Sequence, residues 1–254
     1  MKINLDYSLI GEKEPVVLFL HGWGMSKDCF DKLVPKLKPN QKSICLDFFG
    51  FGNSTEPENY FDTYEYAYHI FIFLKKIKVN KIIIVGHSFG GRVAIILSSL
   101  YDINIEGVIL TSSAGINLFN LKTYLKIKSY KIAKKLSHIK LIKKNLKNFG
   151  SPDYKKSQDS LRCVFVRVVN QDLKFLLKYI SMPCVLIWDK KDKETPYKMC
   201  KVLNRKIRNS HIVLFNSGGH FAFLFNQNKF AEIINHMTDK LSWLHLSLLV
   251  ILSL

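Results

Sequence analysis

The chain has no cysteine pattern that could hold a metal, a redox couple or a disulfide framework. Its five cysteines (Cys29, Cys45, Cys163, Cys184, Cys200) are an odd set with no C-x-x-C spacing. A reduced, cytoplasmic protein is the default reading. The first residues, Met1-Lys2-Ile3-Asn4-Leu5-Asp6, lack the apolar core of a secretory signal. Acid is scarce: 20 Asp+Glu stand against 38 Lys+Arg, a net charge of +18 in 254 residues. That surplus raises nucleic acid or an anionic membrane as partners. Aromatics interleave poorly with the lysines, however, and no nucleic-acid module signature appears, so nucleic acid is not expected. The apolar stretch Leu241–Leu254 (LSWLHLSLLVILSL) is too short to span a bilayer. As a helix it would cover about 21 Å of a roughly 30 Å hydrocarbon core. It reads as a tail packed on the body or a loose end; membrane-surface or partner contact is the alternative.

What is present is globular composition, with 48% apolar and 23% charged residues. The length fits one large α/β domain or two small ones. Strand-length apolar runs occur at Pro15–Leu20, Ser43–Leu46, Lys81–Val85, Gly107–Leu110, Cys184–Trp188 and Ile212–Phe215. Several are continuous, as in parallel strands covered on both faces. Helical stretches near Ser26–Leu37, Thr63–Ile77, Gly91–Leu100, Pro196–Ile207 and Ala222–Met237 lie between them. This alternation predicts a mostly parallel twisted sheet with helices on both faces. Lys2–Leu9 predicts an antiparallel strand hairpinned onto Pro15–Leu20.

The alternation breaks over residues 115–175, where Leu118, Leu121, Leu125, Ile132, Leu136, Ile139, Ile142 and Leu146 recur at helical spacing. The segment reads as an inserted helical cap on a core of residues 1–114 and 176–240. It holds 15 Lys+Arg and 3 Asp, so +12 of the +18 lies there. Its lysine face reads as a solvated face. Attraction to anionic lipid or to an anionic substrate are the alternatives.

Gly86-His87-Ser88-Phe89-Gly90-Gly91 follows one strand and precedes a helix. This is G-x-S-x-G in the strand–turn–helix setting it requires. Ser88 must sit on a tight turn with its hydroxyl off the sheet. Side chains at positions 86 and 90 would strike neighbouring backbone. The helix start behind Ser88 offers free N–H groups to a developing negative charge. His21-Gly22-Trp23-Gly24 follows another strand. Its glycines let backbone approach the nucleophile, so the Trp23 and Phe89 N–H groups form the expected oxyanion hole. His21 is read as a loop-fixing histidine. Asp47, opening Asp47-Phe48-Phe49-Gly50-Phe51-Gly52-Asn53-Ser54, is read as a loop organiser.

On these motifs the chain resembles the α/β-hydrolase superfamily over nearly its whole length. The resemblance implies an acid after a later strand and a histidine near the end. Trp188-Asp189-Lys190-Lys191-Asp192-Lys193-Glu194-Thr195-Pro196 is similar to the family's W-G-x-x-D-x-x-T-P segment. Asp192 is then the acid, and Asp189, which stands where the family has Gly, is the alternative. Glu194 is read as a surface residue. His220, in Gly218-Gly219-His220-Phe221, matches the family's histidine loop. His87 is read as pointing away from the site.

The implied activity is a serine hydrolase acting on an ester or related acyl bond through Ser88, Asp192 and His220, with no metal or organic cofactor. Trp23, Phe48, Phe89 and Phe221 are candidate pocket aromatics, which would suit a small, largely apolar substrate. Two alternatives stay open. One is C–C bond hydrolysis or lysis of a carboxylated substrate, with Arg92 or Arg162 as its anion partner. The other is a non-catalytic binding protein.

Overall fold

The computed structural model describes residues 4–57, 61–118 and 159–239. Seven strands form one sheet in the order β1-β3-β2-β4-β5-β6-β7. They are β1 (Tyr7–Ile10), β2 (Lys13–Leu20), β3 (Gln41–Leu46), β4 (Ile82–His87), β5 (Ile105–Thr111), β6 (Cys184–Asp189) and β7 (Ser210–Phe215). All pairings are parallel except β1 with β3. The expected antiparallel first strand is present, but its neighbour is β3 and not β2. β2 already pairs with β3 on one side and β4 on the other, so no edge is open to a hairpin there.

The continuous apolar runs are explained by burial on both faces. Val16, Leu18 and Leu20 point into one core cluster, Val17 and Phe19 into the other. Ile82 and Ile84 of β4 divide from Ile83 and Val85 in the same way. Helices α1 (Thr63–Lys76), α2 (Phe89–Leu100) and α4 (Tyr197–Lys206) contribute buried residues to the first cluster. The second is covered by α5 (Ala222–Phe225), α6 (Gln227–Thr238) and the turns after β2. Asp62 caps α1 by accepting from the N–H groups of Tyr64 (2.8 Å) and Glu65 (3.2 Å).

Two expected helices differ. Ser26–Leu37 forms two short 3₁₀ turns, Lys27–Phe30 and Val34–Lys36. Pro35 falls inside the predicted helix, where it removes an N–H and clashes with the preceding turn. Ala222–Met237 is divided at Asn226, whose side chain donates to the Ala222 (2.8 Å) and Ser217 (3.0 Å) carbonyls.

The insert leaves the sheet after β5 and returns before β6, two neighbouring parallel strands. Its described return arm contains α3 (Asp159–Asn170). Leu161, Val164, Val168 and Leu173 join the first core cluster. The arm is tied down where Gln171 accepts from the Thr63 N–H at 3.0 Å and its carbonyl accepts from Arg92 at 2.9 Å. The lysine-rich segment Lys122–Lys147 and the tail Leu241–Leu254 lie outside the described residues. All five cysteines are free. Among the described residues no helix is long and apolar enough to cross a membrane.

Candidate active site

The site stands where the strand order reverses. From β2 the chain moves outward to β3, then returns to β4 on the other side of β2. Loops at the carboxyl ends of β2 and β4 therefore flank a crevice, the usual ligand position in open α/β sheets. Ser88 occupies the turn between β4 and α2 with φ of 51° and ψ of −108°, a conformation that is strained for a residue with a side chain. A Cβ on Gly86 would lie 2.6 Å from the Gly90 carbonyl oxygen, and one on Gly90 would collide with the carbonyl of Leu20. The expected need for glycine at both positions thus holds. The Ser88 N–H donates to the Thr111 carbonyl (3.2 Å) and its own carbonyl accepts from Ala114 (3.0 Å), so flanking backbone sustains the turn.

Three residues from separate strand ends meet here. Ser88 Oγ lies 3.0 Å from His220 Nε2. His220 Nδ1 lies 3.0 Å from Asp192 Oδ2 and 3.2 Å from Oδ1. Asp192 also accepts from the N–H groups of Glu194 and Thr195, each at 2.9 Å, and has Thr195 Oγ1 at 2.7 Å. Burial pushes the Asp192 carboxyl upward. Hydrogen bonds and charge from His220, with the Thr195 hydrogen bonds, outweigh that and hold it below the usual carboxylate range. Asp189 does not face His220. It accepts from the Lys191 N–H and the Gly219 N–H, each at 2.8 Å, and so fastens the histidine loop to the end of β6.

The other histidines read from the motifs are placed differently. His21 Nε2 accepts from the Phe48 N–H at 3.0 Å, and Nδ1 donates to the Gly22 carbonyl at 2.7 Å. It fixes its loop, as expected. His87 is outside the cavity lining, its ring packed against Phe223. Its Nε2 lies 2.9 Å from the His220 carbonyl, so it holds the backbone of the histidine loop. Asp47 organises its own loop, accepting from the N–H groups of Lys27 (2.7 Å) and Asn53 (3.0 Å) and pairing with Lys27 Nζ (3.2 Å).

A cavity of about 250 Å³ opens over Ser88 and His220. Of the candidate aromatics, Trp23 and Phe89 line it. Phe89 is the first residue of α2, so its N–H has no acceptor within the helix. Phe48 is buried beneath His21 and Phe89 as core. Phe221 is outside the lining, its ring beside His220 and His87. Sequence reading missed much of the wall, including Ile116 from the insert's first arm, Phe165, Val168 and Val169 from α3, and Met199 from α4. The helical spacing of Phe165, Val168 and Val169 was the available signal. Arg92, buried and one turn along α2 from Ser88, also borders the cavity and donates to the Gln171 carbonyl at 2.9 Å. Among the described residues no group of His, Cys, Asp and Glu is placed to hold a metal ion.

Comparison with known proteins agrees with this fold. The family model of the α/β hydrolase fold matches residues 15–137. A pimeloyl-[acyl-carrier protein] methyl ester esterase of Wigglesworthia glossinidia brevipalpis is 26% identical over 92% of this chain and 97% of its own length. An esterase from Exiguobacterium antarcticum superposes with a TM-score of 0.73 at 19% identity, over 92% of this chain and 96% of that one. A meta-cleavage product hydrolase from Pseudomonas fluorescens superposes with a TM-score of 0.69 at 20% identity, over 92% and 94%. With its sheet order, its elbow serine and these likenesses, the chain has the α/β-hydrolase fold.

Proposed function

We propose that this enzyme is a serine hydrolase that cleaves an ester or related acyl bond of a small, largely apolar substrate. The observation that carries the reading is the chain of contacts from Ser88 Oγ to His220 Nε2 and from His220 Nδ1 to Asp192, opening into a cavity with Trp23, Phe89, Ile116, Phe165, Val168 and Met199 among its walls. The relatives named as esterases support the same class.

The residues divide the work as follows. His220 takes the Ser88 proton as Oγ bonds to the acyl carbon. The N–H groups of Trp23 and Phe89 hold the oxyanion; one such donor is typically worth on the order of 10²–10³ in rate. Asp192 fixes the His220 tautomer and stabilises the imidazolium. His220 then returns the proton to the leaving group, and water, activated by the same histidine, releases the acyl group. The described arms of the segment between β5 and β6 supply part of the cavity wall, Ile116 from one and α3 from the other.

A second reading has one observation in its favour. The buried Arg92 guanidinium at the cavity wall suits a carboxylated substrate, as C–C bond hydrolysis or lysis would use. Short- and medium-chain p-nitrophenyl esters separate the two. Turnover that disappears in Ser88→Ala supports the esterase reading. No turnover, with no labelling of Ser88 by a fluorophosphonate, contradicts every serine-nucleophile reading.

A further inference from the structure

Glu194 is 56% exposed at its side chain, as a surface residue should be, yet its Oε2 lies 3.4 Å from His220 Nε2. The same nitrogen faces Ser88 Oγ. Glu194 also borders the cavity that contains Ser88. Its backbone is fixed by the turn that presents the acid, because its N–H donates to Asp192 Oδ1.

The hydrolase reading above, on which this inference rests, says which part of a substrate meets that carboxylate. Ser88 Oγ bonds to the acyl carbon as its proton passes to Nε2. The bond from acyl carbon to leaving oxygen or sulfur then breaks as Nε2 hands that proton over. The leaving atom must therefore come within hydrogen-bond reach of Nε2. A carboxylate 3.4 Å from that nitrogen borders the leaving-group side. We infer that Glu194 is a specificity residue that makes this side of the pocket select cationic or neutral alcohols and thiols over anionic ones.

The neighbouring charges do not cancel it. Asp192 is engaged with Nδ1 on the far side of the ring. Arg92 borders the same cavity and keeps its charge, but its guanidinium is turned onto the Gln171 and Val169 carbonyls at the end of α3. Lys190, Lys191 and Lys193 are exposed to solvent. His87 is kept neutral by burial, which pushes its pKa down to about 3.

The test uses three thioesters of one acyl group at low ionic strength. They are butyrylthiocholine, the neutral S-butyryl-3,3-dimethylbutanethiol and the anionic S-butyryl-3-mercaptopropionate. Wild-type kcat/KM should favour the cationic over the anionic thioester by about tenfold, the size expected for one partly solvated charge. The ratio should fall with added salt. It should shrink to about twofold in Glu194→Gln and persist in Glu194→Asp. A purely structural role would slow all three alike and leave the ratio intact. If the neutral thioester is hydrolysed but the ratio is the same in Glu194→Gln, this inference is wrong while the hydrolase reading stands. If folded wild-type protein hydrolyses none of them and Ser88 resists a fluorophosphonate, the hydrolase reading falls and takes the inference with it.

Discussion

His21 and His220 are both buried histidines on loops at the carboxyl edge of the sheet, each with an aspartate nearby. At His21 both ring nitrogens are bound to backbone, one accepting from Phe48 and one donating to Gly22. Burial pushes its pKa down to about 4, so the ring is neutral at neutral pH. Its aspartate, Asp47, is engaged with Lys27 and loop N–H groups. At His220 the aspartate binds the ring itself, and the other nitrogen faces a serine hydroxyl. Burial and a carboxylate neighbour are common to both. What differs is a ring nitrogen left for a group that can exchange its proton.

The largest expected effects fall on the His220 side. Ser88→Ala or His220→Ala should lower kcat by on the order of 10⁴-fold or more while the thermal midpoint stays near wild type. Retained turnover in either would remove the basis of the contrast. Next, Asp192→Asn should cost on the order of 10⁴ in kcat, because the amide favours the wrong tautomer. Asp47→Asn should instead leave kcat within about tenfold of wild type. Its cost is stability, about 2–4 kcal/mol or a Tm roughly 5–10 °C lower, since a buried carboxylate paired with lysine is lost. A large kcat loss with unchanged Tm in Asp47→Asn would mean the two loops share the chemistry.

A smaller effect separates the histidines by pH. Unfolded His21 takes up a proton near pH 6.5, whereas folded His21 resists until about 4. The unfolded state therefore binds more protons as pH falls, and stability drops between pH 6.5 and 4. The contribution is a few kcal/mol at most, with His87 adding in the same direction. His21→Gln should show a shallower fall of Tm across that window. The smallest effect is at Thr195→Val, which removes the hydroxyl 2.7 Å from Asp192 Oδ2. It should lower kcat by about tenfold with the wild-type Tm nearly retained.

The sequence exposed those parts of the site whose backbone geometry demands particular residues. Gly86 and Gly90 mark the elbow because nothing larger fits against Gly90 and Leu20. Gly218 and Gly219, at φ of 101° and 55°, mark the histidine loop. Features decided by packing between distant segments were hidden. β1 pairs with β3 because β2 is already occupied on both sides. Phe48 is core and Trp23 is cavity wall, although both are aromatics at similar loop positions. Glu194 has the charge and exposure of a surface residue, and only the turn around Asp192 brings it to His220.

The most direct test of the contrast is covalent labelling with a fluorophosphonate, read by peptide mass spectrometry. One adduct should appear on Ser88 in wild type, persist in Asp47→Asn and be strongly reduced in His220→Ala. An adduct on another residue, or undiminished labelling of Ser88 in His220→Ala, would contradict the account.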